Sequence, residues 1–127
     1  MKKLFFSAFL IAALLVICIS CKKSNTGGNA SIAAYTVHHG TPINFPTVYV
    51  KFGAKEKPAD PTSDYDLKLV GIHENHVHIE ELRYGNYYLF ATGFDSSIMM
   101  PVSGGVPVKL KWGQRNEETE VDIAVTE

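Results

Sequence analysis

The chain has 127 residues, 46% of them hydrophobic, and a formal net charge of −1. That length suits one domain rather than two. Twelve basic against thirteen acidic residues leave no cationic excess, which argues against a nucleic-acid partner. No phosphate-cradling glycine loop, His-Glu-x-x-His or Gly-x-Ser-x-Gly occurs, and the single Cys-x-x-Cys, Cys18 to Cys21, stands at the end of an apolar N-terminal run, so a non-enzymatic protein without a cofactor is expected.

At the N-terminus, Lys2 and Lys3 precede an apolar run from Leu4 to Ile19. At roughly 16 residues it is short for a membrane span and right for a signal-peptide core. Ser20 and Cys21 follow. This order resembles a bacterial lipoprotein signal of the lipobox type, with Cys18 where that family usually carries an aliphatic residue. The resemblance implies a signal peptide over 1–20, cleavage before Cys21, and acyl chains such as palmitate on that cysteine, enough for stable membrane anchoring. Cys18 leaves with the signal and Cys21 is consumed by lipid, so no disulfide remains. Loss of Lys2 and Lys3 takes the mature charge to about −3. Residues 21–30 are small and polar and read as a flexible tether spanning on the order of 15–20 Å. Lys22 and Lys23 are followed by no acid, so resemblance to Gram-negative lipoproteins implies an outer-membrane protein of the cell envelope facing the periplasm.

The folded domain is expected over 31–127. Ile32 to His38 is a first strand, and Gly40 to Pro46 carries turn chemistry with two prolines. Thr47 to Gly53 alternates, with Val48, Val50 and Phe52 inward. Ala54 to Ser63, holding Pro58 and Pro61, reads as an exposed loop. Tyr65 to Val70 is a third strand, and Val77 and Ile79 point inward from a short fourth. The stretch from His78 to Asp95 then ends that strand, turns at Leu82 and Gly85, and enters a strand apolar on both faces. Tyr87, Leu89 and Ala91 share one face; Tyr88, Phe90 and Thr92 share the other. Such a strand belongs inside a sheet. Ser96 to Ser103 is a loop whose Ile98, Met99 and Met100 are expected to fold back as a lid. Val106 to Trp112 is a sixth strand, in which Pro107 marks an edge or a bulge. Thr119 to Thr126 is the last, with one solvated face. Seven short strands without helical periodicity predict an all-β, antiparallel sandwich.

Two segments together resemble prealbumin-like (transthyretin-like) modules, including carboxypeptidase regulatory-like and Cna B-type domains. They are Gly40-x-Pro42-Ile43-x-x-x-Thr47-Val48-Tyr49-Val50 and Val77-His78-Ile79-x-x-Leu82-x-x-Gly85-x-Tyr87-x-Leu89-x-Ala91. The resemblance covers roughly 32–125 and implies an Ig-like sandwich in which Leu82 plugs one end and Tyr87 packs beneath the turn. Val121 to Glu127 holds no Asn for a Cna B-type cross-link. The chain ends Ile-Ala-Val-Thr-Glu rather than in the Tyr-Arg-Gly-Ser of transthyretin-related hydrolases.

Histidine is the main candidate chemistry. His76 and His78 stand two apart on a strand, so both leave the same face and can share a metal, with Glu80 continuing that face and His73 in the adjoining loop. His38 and His39 are adjacent and are expected to point oppositely. Tyr88, Phe90 and Phe94 are expected to pack under the second sheet. The function expected is a membrane-anchored binding or structural module meeting an envelope protein or glycan through Gly53–Ser63 and Asp95–Gly105. The alternatives are metal binding at His76 and His78, or an accessory role in nutrient uptake.

Overall fold

A computed structural model describes residues 24–72 and 75–127. The expected signal peptide over 1–20, Cys21 and His73 lie outside the described residues. Among the described residues there are eight strands: β1 (Thr26–His38), β2 (Thr41–Pro42), β3 (Thr47–Phe52), β4 (Leu67–Val70), β5 (His76–Leu82), β6 (Gly85–Asp95), β7 (Met100–Leu110) and β8 (Glu118–Ala124). They form two four-stranded sheets packed face to face as a β-sandwich.

β1 is the spine of the first sheet. Its backbone polar groups point alternately to its two edges. On one side the Thr36 N–H donates to Asn75 O at 3.4 Å, ahead of β5, and Thr36 O accepts from Ile43 N–H at 2.9 Å, just past β2. On the other side β8 pairs from Ser31↔Glu118 to Val37↔Ala124 in parallel. An all-antiparallel sandwich is therefore corrected. The link from β7 to β8 passes from one sheet to the other, so no hairpin forces the last strand antiparallel to its neighbour. The second sheet is antiparallel in the order β4-β3-β6-β7. It places the doubly apolar β6 inside and the Pro107 strand at an edge, as their sequences require.

The two inner faces build one core. Ile32 and Ala34 of β1 and Val77, Ile79 and Leu82 of β5 meet Val48 and Val50 of β3 and Tyr87, Leu89 and Ala91 of β6. Glu81 lies at φ 58° in a bulge where β5 spends three residues from Ile79 to Leu82 against two of β1. The bulge turns two glutamates outward in succession and returns Leu82 to the core. Along one flank β7 crosses the segment after β8: the Ser103 N–H donates to Thr126 O at 2.8 Å and the reverse bond is 2.9 Å. Gly104 permits this approach, because a Cβ there would stand 2.2 Å from Ala124 O.

Three further expectations are corrected. First, the flexible tether does not extend to Ala30. Thr26 already belongs to β1, Ser24 Oγ accepts from Asn86 N–H at 2.8 Å, and Ala30 is fully buried. The glycines of Thr26-Gly27-Gly28-Asn29 form a bulge, with Thr26 and Ala30 both paired to Leu82. Second, Ile98, Met99 and Met100 do not make a lid. They are exposed, Met99 to 70%, because β6 and β7 pair to their ends at Asp95↔Met100 and hold the turn beyond the sandwich. Third, Tyr88 and Phe90 are buried beneath the long loop after β3 rather than beneath the other sheet. Pro58 and Pro61 lie against them, Lys57 Nζ sits 5.1 Å from the Phe90 ring, and Phe94 is exposed.

Candidate functional site

The sandwich has two chemically different ends. At one, Ser24 and Asn25 enter beside the start of β6. The Tyr87 hydroxyl donates to Arg83 O at 2.5 Å and accepts from Asn25 N–H at 3.1 Å. Next to it, Tyr84 meets Trp112 edge-on at 4.9 Å, and the Arg115 guanidinium lies 4.1 Å from the centre of the exposed Trp112 ring. At the other end gather the β1–β2 turn, the β6–β7 turn and the final residues. Phe45, Ile72, Phe94, Ile98, Met99 and Met100 are exposed there. The two loops expected to act together, Gly53–Ser63 and Asp95–Gly105, leave β3 and β6 at opposite ends: Gly53 N–H donates to Asn86 O, whereas Asp95 closes the far end. They do not form one binding edge.

His38 is centred at the far end. It is the last residue of β1 and only 3% exposed. Its Nδ1 lies 2.7 Å from Asp95 Oδ2 and its Nε2 2.8 Å from Glu127 Oε2. Asp95 is fixed by Ser97, whose hydroxyl and backbone N–H donate to Oδ1 at 2.6 and 2.9 Å. The Asp95 hydrogen bond and the Glu127 carboxylate raise the His38 pKa above the usual 6.5 against the opposing effect of burial. Hydrogen bonds from Ser97 first, and then from His38, bring the Asp95 pKa down to about 2. Glu127 is lowered by its own backbone amide and by His38. The Ser97 hydroxyl faces the carboxylate and not the imidazole, so the three do not stand in nucleophile–base order.

His39 does not point away from His38. His38 pairs with Thr41, and His39 and Gly40 between them have φ of 47° and 79°. This is a two-residue hairpin turn with positive φ at both central positions, the I′ pattern. It swings the His39 ring back to 4.3 Å from that of His38, tilted by 53°. Strand alternation alone misses this, although His-Gly followed by Thr-Pro is a readable turn signal. Asp95 and Glu127 were not foreseen as partners, since they arrive from 57 and 89 residues away.

His76 and His78 do share the outer face of the first sheet. Their Nε2 atoms are 3.1 Å apart. Each Nδ1 meets an oxygen: Asn75 Oδ1 at 3.2 Å from His76 and Glu118 Oε2 at 3.1 Å from His78. His76 stacks on Tyr35 at 4.7 Å. The carboxylate beside His78 is Glu118 of β8, reaching over Ala33, and not Glu80, which is exposed farther along β5. No local pattern announces Glu118, because β8 reaches this face only through its parallel pairing with β1.

Comparison with protein-family models, with curated proteins and with solved structures finds no match.

Proposed function

We propose that the protein is a lipid-anchored envelope module, a prealbumin-like sandwich held by acyl chains on Cys21 that presents its far end to an envelope protein or glycan. The observation that supports this reading most is the separation of the ends. Only Lys22 and Lys23 stand between Cys21 and Ser24, a reach of about 10 Å, and Ser24 is bonded at the Gly85 end. The exposed apolar side chains Phe45, Phe94, Ile98, Met99 and Met100 occupy the opposite end, where an anchored protein meets its surroundings. The N-terminal resemblance favours the outer membrane, with the domain facing the periplasm. An accessory role in nutrient uptake is the form of this reading in which the partner is a transport component. Mass spectrometry of membrane-extracted protein tests it. A mature chain starting at acylated Cys21 is expected; a soluble form with unmodified Cys21 contradicts it.

A second reading, divalent-metal binding at His76 and His78, is favoured by their Nε2 atoms lying 3.1 Å apart. Two nitrogens on one zinc are about 3.4 Å apart at ordinary bond lengths. Calorimetry with zinc chloride on the wild type and on His76→Ala/His78→Ala distinguishes the cases. Loss of one binding event supports the reading, and identical isotherms remove it.

A further inference from the structure

We propose that His38, His39 and Glu127 form a zinc(II) site at the far end, separate from the His76–His78 pair. Their donor atoms, one from each side chain, all lie within 4.8 Å of one another. Two imidazoles and one carboxylate are a donor set that zinc accepts with a fourth position left for water or another ligand. Around one tetrahedral ion these atoms stand about 3.4 Å apart, so closure needs only a small inward movement of His39 and Glu127, both at the exposed rim. His38 Nε2 and Glu127 Oε2 are already 2.8 Å apart.

The surroundings support a ligand role. Asp95 accepts from His38 Nδ1 at 2.7 Å and is itself held by the backbone and hydroxyl of Ser97. A carboxylate on the far nitrogen is what orients a metal-binding histidine, and here it directs Nε2 toward Glu127. A proton on Nε2 holds the carboxylate in the absence of metal, and zinc replaces it. An ion-pair clasp of His38, Asp95 and Glu127 leaves His39 unexplained. The hairpin turn needs positive φ at that position, for which Asn or Asp before Gly is the usual choice. Histidine fits the turn less commonly, but its ring returns beside His38. The fold therefore brings a second imidazole beside a buried, oriented first one.

The test uses the full chain in detergent, with Cys18→Ser and Cys21→Ser so that no thiol competes and His76→Ala/His78→Ala so that the outer-face pair is silent. Zinc chloride is titrated calorimetrically against a competing chelator. One site per chain is expected to persist. His39→Asn, which keeps a residue suited to the turn, and Glu127→Gln are each expected to weaken it by about tenfold or more. Both positions are exposed, so circular dichroism is expected to stay unchanged. Cobalt(II) in place of zinc is expected to give the intense visible absorption of a four-coordinate site, lost in His39→Asn. The proposal is overturned if this background takes up no zinc, or if its affinity is the same after both substitutions.

Discussion

His38 is where burial and charge meet most sharply. Its raised folded pKa means that the folded chain binds the proton more tightly than the unfolded chain does. The associated stability is fully present below the unfolded value near 6.5 and declines as pH rises through the folded value. Asp95 works in the opposite direction. With a folded pKa of about 2 against the usual 3.8, its contribution is present above 3.8 and lost as pH falls toward 2. With a chelator present, the unfolding midpoint is expected to be highest between about pH 4 and 6.5 and to fall on both sides. Asp95→Asn is expected to remove most of the acid limb and shrink the alkaline one. An unchanged alkaline limb in that variant counts against the His38–Asp95 account. At this scale the sequence was a partial guide. The spacing of His76 and His78 gave their shared face directly, because strand alternation is local. The partners Glu118, Asp95 and Glu127 depend on strand pairing and chain return, which no spacing encodes. The positive φ at His39 and Gly40 reversed the direction that alternation assigned to His39.

Among the elements, β6 and the N-terminal half of β1 are coupled through one phenol. Tyr87 is fully buried, packs edge-on against Phe52 at 5.7 Å, and ties Arg83 and Asn25 to its hydroxyl. Tyr87→Phe keeps the packing and removes both bonds. It is expected to cost about 1–3 kcal/mol in chemical denaturation and to speed amide hydrogen exchange at Asn25. A cost below about 0.5 kcal/mol with unchanged exchange contradicts a role in fastening the first strand. The alternation of β3 and β8 and the continuous apolar run of β6 made those strands readable, since the first two have one inner face to satisfy and the third is covered on both. The start of β1 was not readable: Gly27, Gly28 and Asn29 have the composition of a linker, yet Thr26 and Ala30 on either side of them both pair with Leu82 of β5. The two-residue β2 lies inside turn chemistry, and the Tyr88 and Phe90 face was assigned to the wrong cover because a proline-bearing loop can bury aromatic rings as well as a sheet can.

For the whole molecule, the shortened tether changes what an anchor means. A ten-residue coil would let the domain sample many orientations. In the proposed anchored form, a two-residue link from Cys21 to Ser24 would keep the Gly85 end near the surface, and Trp112, Tyr84 and Arg115 beside that end pair aromatic and cationic groups suited to the headgroup region. β1 runs 13 residues away from that end, about 40 Å at strand rise, to His38 and the apolar rim. Orientation on a bilayer is therefore the most direct measurement. Lipidated protein is reconstituted in vesicles containing nitroxide-bearing lipids, with a fluorophore on Gly113→Cys, where added atoms meet nothing within 4 Å, or on the exposed Met99→Cys. Strong quenching at 113 and little at 99 is expected. Equal quenching at the two positions, stronger quenching at 99, or protein that does not stay on the vesicles contradicts an anchored module that presents its far end.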